Sequence, residues 1–174
     1  MSSRYEFIDI GAGDGVMVFL ALCSGAILSI GIEFKGEQES CFLGYMPILE
    51  KHGGSYQSVC GMYGRDATSF SSLPSLQHDD QEYFIPRVVY CFCDGWHQLD
   101  RKHVFSELAG KDPLVKLVLC SPGKAGGDWF SNAASIARAL NESNIGCKFV
   151  YHSVIKVHMV GSGSQKQVFV FNRT

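Results

Sequence analysis

The sequence predicts an α/β fold: a mostly parallel sheet layered between helices and finished by an antiparallel hairpin. Three observations lead there. The apolar segment Tyr5 to Ile10 enters the turn Asp9-Ile10-Gly11-Ala12-Gly13-Asp14-Gly15 and leaves it as the apolar run Val16 to Leu22, an order that reads as strand, tight turn and helix. The segment Arg87 to Cys93 has the near-continuous apolar character of a central parallel strand covered on both faces. Finally, the strand-like segments Phe149 to Val160 and Gln167 to Phe171 are separated by Gly161-Ser162-Gly163-Ser164, too short for a crossover helix, so they pair antiparallel.

The elements between follow from periodicity and punctuation. Ala26 to Ile32 is a buried strand behind the first helix. Glu37 to Lys51 spaces Phe42, Tyr45, Met46 and Leu49 for a helix, with Pro47 in its middle and Gly53-Gly54 ending it. Tyr56 to Met62 reads as a strand, and Ser69 to Pro86 as a short helix or irregular loop rich in Ser, Asp, Gln and Pro. A helix over Gln98 to Leu108, a strand over Leu114 to Cys120 and a helix over Ser131 to Leu140, with Ile136 and Leu140 on one face, complete the alternation. At 174 residues the whole chain, 1–174, is expected to be one domain around one core.

Composition narrows the function classes. A formal charge of -2 gives no global positive field that would advertise nucleic acid, although Arg87, Arg101, Lys102 and Lys124 could build a local basic groove. Seven cysteines, at 23, 41, 60, 91, 93, 120 and 147, form no Cys-x-x-Cys pair and no zinc spacing, which points to reduced thiols in an intracellular compartment. No basic leader with an apolar signal segment precedes the glycine turn. The uncharged run Val16 to Ile32 approaches the length of a membrane span, but Ser24-Gly25 interrupts it and a helix, turn and strand account for it better. His97 and His103, six apart, do not share one helical face, so no metal site is expected.

Chemistry concentrates at strand ends. Gly11, Gly13 and Gly15 remove side chains where the backbone turns tightly and a ligand approaches, and the following helix offers unpaired N–H groups. Glu33, about twenty residues on and at the end of the next apolar segment, is placed to accept two hydrogen bonds from a ribose. Asp66 follows the third strand. Asp94 and Trp96 leave the Arg87 to Cys93 strand at its carboxyl end, the side on which open parallel sheets hold ligands. Lys124 lies after the fifth strand, facing either substrate or solvent.

On these residues the chain resembles class I S-adenosylmethionine-dependent methyltransferases over nearly its whole length. Asp9 to Gly15 match the family's acidic-x-Gly-x-Gly motif and Glu33 its ribose acid, and Cys93-Asp94-Gly95-Trp96 falls beside the transferred methyl. The resemblance implies a Rossmann-like three-layer sandwich and S-adenosyl-L-methionine as cofactor, held by Asp9, Gly11, Gly13, Gly15, Glu33 and Asp66. It assigns catalysis to Asp94, holding or deprotonating an amine, and to Trp96, walling the transfer pocket or stacking on a base. Within the class, the spacing is similar to the core of the DOT1-like histone lysine methyltransferases. Their Asn-Asn-Phe-x-Phe and Ser-x-x-Pro-Phe phrases are here Cys93-Asp94-Gly95-Trp96 and Cys120-Ser121-Pro122-Gly123, and the glycine turn arrives without their preceding helices. The implied activity is methyl transfer to a protein lysine or other nitrogen. The alternatives are an RNA or small-molecule acceptor, or an inactive or partner-dependent subunit. Implied partners are a basic protein substrate or RNA and a protein supplying the missing substrate-binding elements. No membrane is implied, and the setting is cytoplasmic or nuclear.

Overall fold

The computed structural model describes residues 4–34, 43–44, 46–51, 60–74, 85–93, 96–121, 132–142, 148–158 and 165–174. Seven strands, β1 (Glu6–Ile10), β2 (Leu28–Glu33), β3 (Cys60–Gly64), β4 (Arg87–Phe92), β5 (Val115–Ser121), β6 (Phe149–His158) and β7 (Gln165–Arg173), form one sheet in the order β3-β2-β1-β4-β5-β7-β6. The first five are parallel to their neighbours; β7 runs antiparallel to both β5 and β6. The hairpin therefore forms as the short turn requires, and its second arm fills the gap between β5 and the edge strand β6.

Among the described residues, four α-helices accompany the sheet: α1 (Val16–Cys23), α2 (Met46–Lys51), α3 (Gln98–Lys102) and α4 (Ala133–Asn141). One face is covered by α3, its continuation and α4. There Val104, Phe105, Leu108, Ile136 and Leu140 close over Ile8, Ile10, Val89, Cys91, Val118 and Cys120, each 0–1% exposed. Burying one such aliphatic or aromatic side chain stabilises the fold by about 1.5–3 kcal/mol. Helix α1 packs on β1, β2 and β3 at the other face, where Phe7, Ala21 and Ala26 form a smaller cluster.

Several expectations change. Strand β4 alternates, with Val89 and Cys91 buried and Val88, Tyr90 and Phe92 half-buried, so it is fully covered on one face only. The α-helix expected over Gln98 to Leu108 stops at Lys102, and His103–Gly110 continues it as a π-helix. In α2, Pro47 is the second residue and not the middle one, so its missing N–H falls in the first turn, where no intrahelical bond is lost. Apart from Leu43 and Gly44, the remainder of that expected helix, including Phe42 and Tyr45, lies outside the described residues, as do the turn Gly161 to Ser164 and Lys124. The third strand is described over Cys60–Gly64, and the segment from Ser69 begins inside a 3-10 turn, Ala67–Ser69, before burying Leu73. The run Val16 to Ile32 divides into α1, a turn with Gly25 at φ 97, and β2. No helix among the described residues is long and apolar enough to cross a membrane.

Of the four residues that could build a basic groove, the three described ones do not line up as one, and Lys124 lies outside the described residues. Arg87 is buried at the amino end of β4, its Nε donating to Glu6 Oε2 and an Nη to Asp112 Oδ2, both at 2.5 Å. Arg101 is also buried, and Lys102 pairs with Glu142 at 3.0 Å. These cations hold the protein together and are not arrayed on one surface. Among the described cysteines, Cys23 is exposed and Cys91, Cys93 and Cys120 are buried, all as free thiols.

Candidate functional site

The loop between β1 and α1 explains why this sequence needs glycine there. Gly11, Gly13 and Gly15 adopt φ of 81°, 58° and 81°, the left-handed region that costs a side-chain-bearing residue free energy. The turn is fastened to the end of β2: the N–H groups of Gly11 and Ala12 donate to Ile32 O at 2.8 and 3.1 Å, and that of Gly13 to Glu33 Oε2 at 2.8 Å. The two halves of the sequence signature are thus one hydrogen-bonded unit. Gly11 answers a second demand as well, since a Cβ there would lie 2.8 Å from Trp96 Cζ2.

At the carboxyl ends of β1, β2 and β4 lies a cleft of about 750 Å³ whose walls include Gly11, Glu33, Asp66 and Trp96. That volume is in the range of small-molecule and cofactor sites. Four residues chosen from sequence therefore share one cavity, Trp96 and Glu33 among them. Phe34, Arg65, Thr68, Phe92, His97 and Asp100 also line the cleft and were not assigned to it from the sequence. Phe34, Arg65 and His97 adjoin Glu33, Asp66 and Trp96 in the chain and so carried a local signal; Asp100 arrives through tertiary packing. Asp94 lies outside the described residues.

Two cleft residues hold local structure as well. Asp66 heads the 3-10 turn, its Oδ1 accepting from the Thr68 N–H at 2.9 Å. His97 caps α3 by accepting at Nδ1 from the Leu99 N–H at 3.3 Å. His103 donates from Nε2 to Phe70 O at 3.0 Å, away from His97. No group of three His, Cys, Asp or Glu side chains suited to a metal occurs among the described residues.

Asp9 occupies a different place from the one its motif suggests. The pleat of β1 turns Ile8 and Ile10 into the main core and Phe7 to the α1 face; Asp9, two residues from Phe7, lines a groove on that second side and not the cleft that holds Glu33. Its neighbours in register are Gly31, which offers no side chain, and Tyr90. Asp9 is 1% exposed and its Oδ1 has no hydrogen-bond partner. Burial, with the charges of Glu33 and Asp14 adding to it, pushes its carboxyl up to about 8. Burial and then Asp9 push the Tyr90 hydroxyl up to about 12. An acid kept neutral by burial ionises when a cation is placed beside it. A buried unsatisfied carboxyl is uncommon enough to require a ligand or a functional explanation. The glycine cradle and Glu33 therefore shape the cleft, while the unpartnered Oδ1 belongs to a residue of the neighbouring groove.

No protein-family model and no curated sequence matches the chain. The fold does match solved structures. Magnesium protoporphyrin IX methyltransferase from Synechocystis PCC 6803 with bound S-adenosylmethionine aligns over 98% of this chain and 71% of its own, at TM-score 0.66 and 13% identity. A ribosomal protein L11 methylase from Lactobacillus delbrueckii subsp. bulgaricus aligns over 99% and 72%, at TM-score 0.56 and 13% identity. A Streptococcus pneumoniae protein described as a putative tRNA (m1A22) methyltransferase aligns over 99% and 65%, at TM-score 0.56 and 12% identity. The chain therefore has the Rossmann-like fold of class I S-adenosylmethionine-dependent methyltransferases. Proteins of that fold with such different acceptors are similar to it at comparable distance, and the likeness extends to the fold alone.

Proposed function

We propose that this protein is an S-adenosylmethionine-dependent methyltransferase acting on a nitrogen or comparable nucleophile. The observation that carries the reading is Glu33, which lines the cleft while accepting from Gly13 in the glycine turn. Glu33 would take the ribose hydroxyls, Gly11 and Gly13 would admit the cofactor to the backbone, and Asp66 would meet the adenine amino group. When bound, the cofactor supplies an electrophilic methyl on sulfur, and what remains for the protein is mainly alignment and exclusion of water. Trp96, against Gly11, would wall the transfer pocket, and Asp94 would hold or deprotonate the acceptor amine.

The DOT1-like spacing speaks for a lysine of a basic protein and a partner supplying substrate-binding elements, and it is the weaker reading beside the apolar groove next to the cleft. An RNA acceptor loses support from the burial of Arg87 and Arg101, whereas a small-molecule acceptor gains it from the apolar groove beside Asp9. The buried free thiols favour a reducing intracellular setting, cytoplasmic or nuclear.

Calorimetric titration tests the cofactor assignment. The wild-type protein should bind S-adenosylmethionine and S-adenosylhomocysteine, and Glu33→Ala should weaken both by roughly 5–150-fold, the equivalent of about 1–3 kcal/mol for polar groups left unpaired. Binding of NAD in place of both methyl-cycle ligands would overturn the reading.

A further inference from the structure

We propose that the groove on the α1 face of the sheet binds an apolar small molecule bearing one amine or hydroxyl, and that this molecule is the methyl acceptor. The acceptor role rests on the methyltransferase reading; the binding site rests on the groove itself. The groove measures about 630 Å³ and shares Gly11 and Phe92 with the cofactor cleft, so one loop and one strand end separate the two cavities. Its walls draw Met17 and Leu20 from α1, Leu119 from β5, Val168 from β7 and Ile155 from β6.

Two features distinguish this surface from an ordinary exposed face. The first is its apolar extent: Val16, Met17, Leu20 and Ile155 are each 38–49% exposed along one continuous groove, although the opposite face of the same strands is closed by α3, its π-helical continuation and α4. Contiguous apolar surface of this kind marks binding sites. The second is Asp9, a 1% exposed groove residue with an unpartnered Oδ1, next to Tyr90 in the strand register and two residues before the shared Gly11. A ligand with an apolar body and one polar end satisfies both features.

Charge selects among occupants. Among the described residues, the groove is lined by the acids Asp9 and Asp14 and by no lysine or arginine, which disfavours the phosphates of RNA. A peptide main chain laid on these walls would bury amide groups against Leu20, Leu119 and Val168, at a desolvation cost that an apolar small molecule avoids. In the transfer, the acceptor's lone pair forms the bond to the methyl carbon. The carbon–sulfur bond breaks with its electron pair remaining on sulfur, and the proton displaced from the acceptor leaves to solvent.

The test uses N-phenyl-1-naphthylamine, a neutral apolar amine whose fluorescence reports binding, with the full chain and no cofactor. The wild-type protein should bind it. Leu20→Arg and Ile155→Arg, on separate elements and both half-exposed, should each weaken binding by at least about tenfold by bringing a charge against an apolar ligand. S-adenosylhomocysteine affinity should stay within about twofold in both variants, because neither Leu20 nor Ile155 lines the cofactor cleft, and this also verifies folding. With labelled methyl donor, amino- or hydroxynaphthalenes should displace the probe and accept methyl. Equal probe binding in wild type and variants overturns the proposal. So does a wild-type dimer that Leu20→Arg converts to monomer, which would show a second copy covering the groove. Displacement of the probe by a lysine-rich peptide or an RNA oligonucleotide, but not by the naphthalenes, overturns the acceptor class. Failure of the wild type to bind S-adenosylhomocysteine strikes the methyltransferase reading and the acceptor role together, while probe binding still reports on the groove as a site.

Discussion

Asp9 couples stability to pH in a way that can be measured on the free protein. With its carboxyl pushed up to about 8 by burial, Glu33 and Asp14, the folded state retains a proton that the unfolded chain, near the ordinary carboxylate value of 3.8, has released. Between those values the folded form binds more protons, so stability falls as pH rises, by up to about 1.4 kcal/mol per unit from this one group. We expect Asp9→Asn to flatten that part of the stability curve and to raise the melting temperature at pH 8 relative to wild type, as read by thermal unfolding across the pH range. Gly11→Ala makes a second residue-scale case: the new Cβ meets Trp96 Cζ2 at 2.8 Å and strains a φ of 81°. We expect S-adenosylhomocysteine affinity to drop by about tenfold or more as the indole shifts, with indole fluorescence altered in the free protein. The glycines and Glu33 were legible in the sequence because their chemistry is local and their spacing is fixed by one strand, one turn and one helix. The face toward which Asp9 points was not: β1 is buried on both faces, so its residues carry no polar alternation that separates one side from the other.

Among the elements, the α3 segment shows where periodicity stops being informative. An apolar pattern continues through His103–Gly110, but whether the turns are α or π depends on how the segment meets α4. At that meeting a Cβ on Gly110 would stand 2.5 Å from Leu140 O and 2.7 Å from Phe105 O. Backbone cannot yield as a flexible side chain can. Gly110→Ala should therefore cost about 1–3 kcal/mol, read as a lower urea midpoint with an unchanged slope. The hairpin was legible for the opposite reason, since a four-residue link excludes a crossover whatever the packing. What the link could not specify was that β7, and not β6, would pair with β5.

Considered whole, the molecule separates its tasks along the strand direction. The cofactor cleft occupies the carboxyl ends of β1, β2 and β4. At the amino ends Arg87 ties Glu6 of β1 and Asp112 before β5 to β4, with its own N–H donating to Leu114 O at 2.8 Å. Removing the guanidinium by Arg87→Ala strands a buried carboxylate and should cost about 3–5 kcal/mol in urea unfolding. S-adenosylhomocysteine affinity should remain near wild type under conditions where the variant is folded, because the lost contacts are at the far end of the sheet. The buried sulfur atoms have a consequence of another kind. Cys91, Cys93 and Cys120 lie on adjoining strands β4 and β5 and in the residue that follows β4, with the first two sulfurs 3.2 Å apart, while Cys23 stands in solvent. An alkylating reagent added to the native protein should mark Cys23 at once and reach the other three only when the centre of the sheet opens. Peptide-resolved labelling over time then turns ordinary thiols into a clock for how often the molecule breathes, and a bound nucleoside bridging β1 and β2 should slow it.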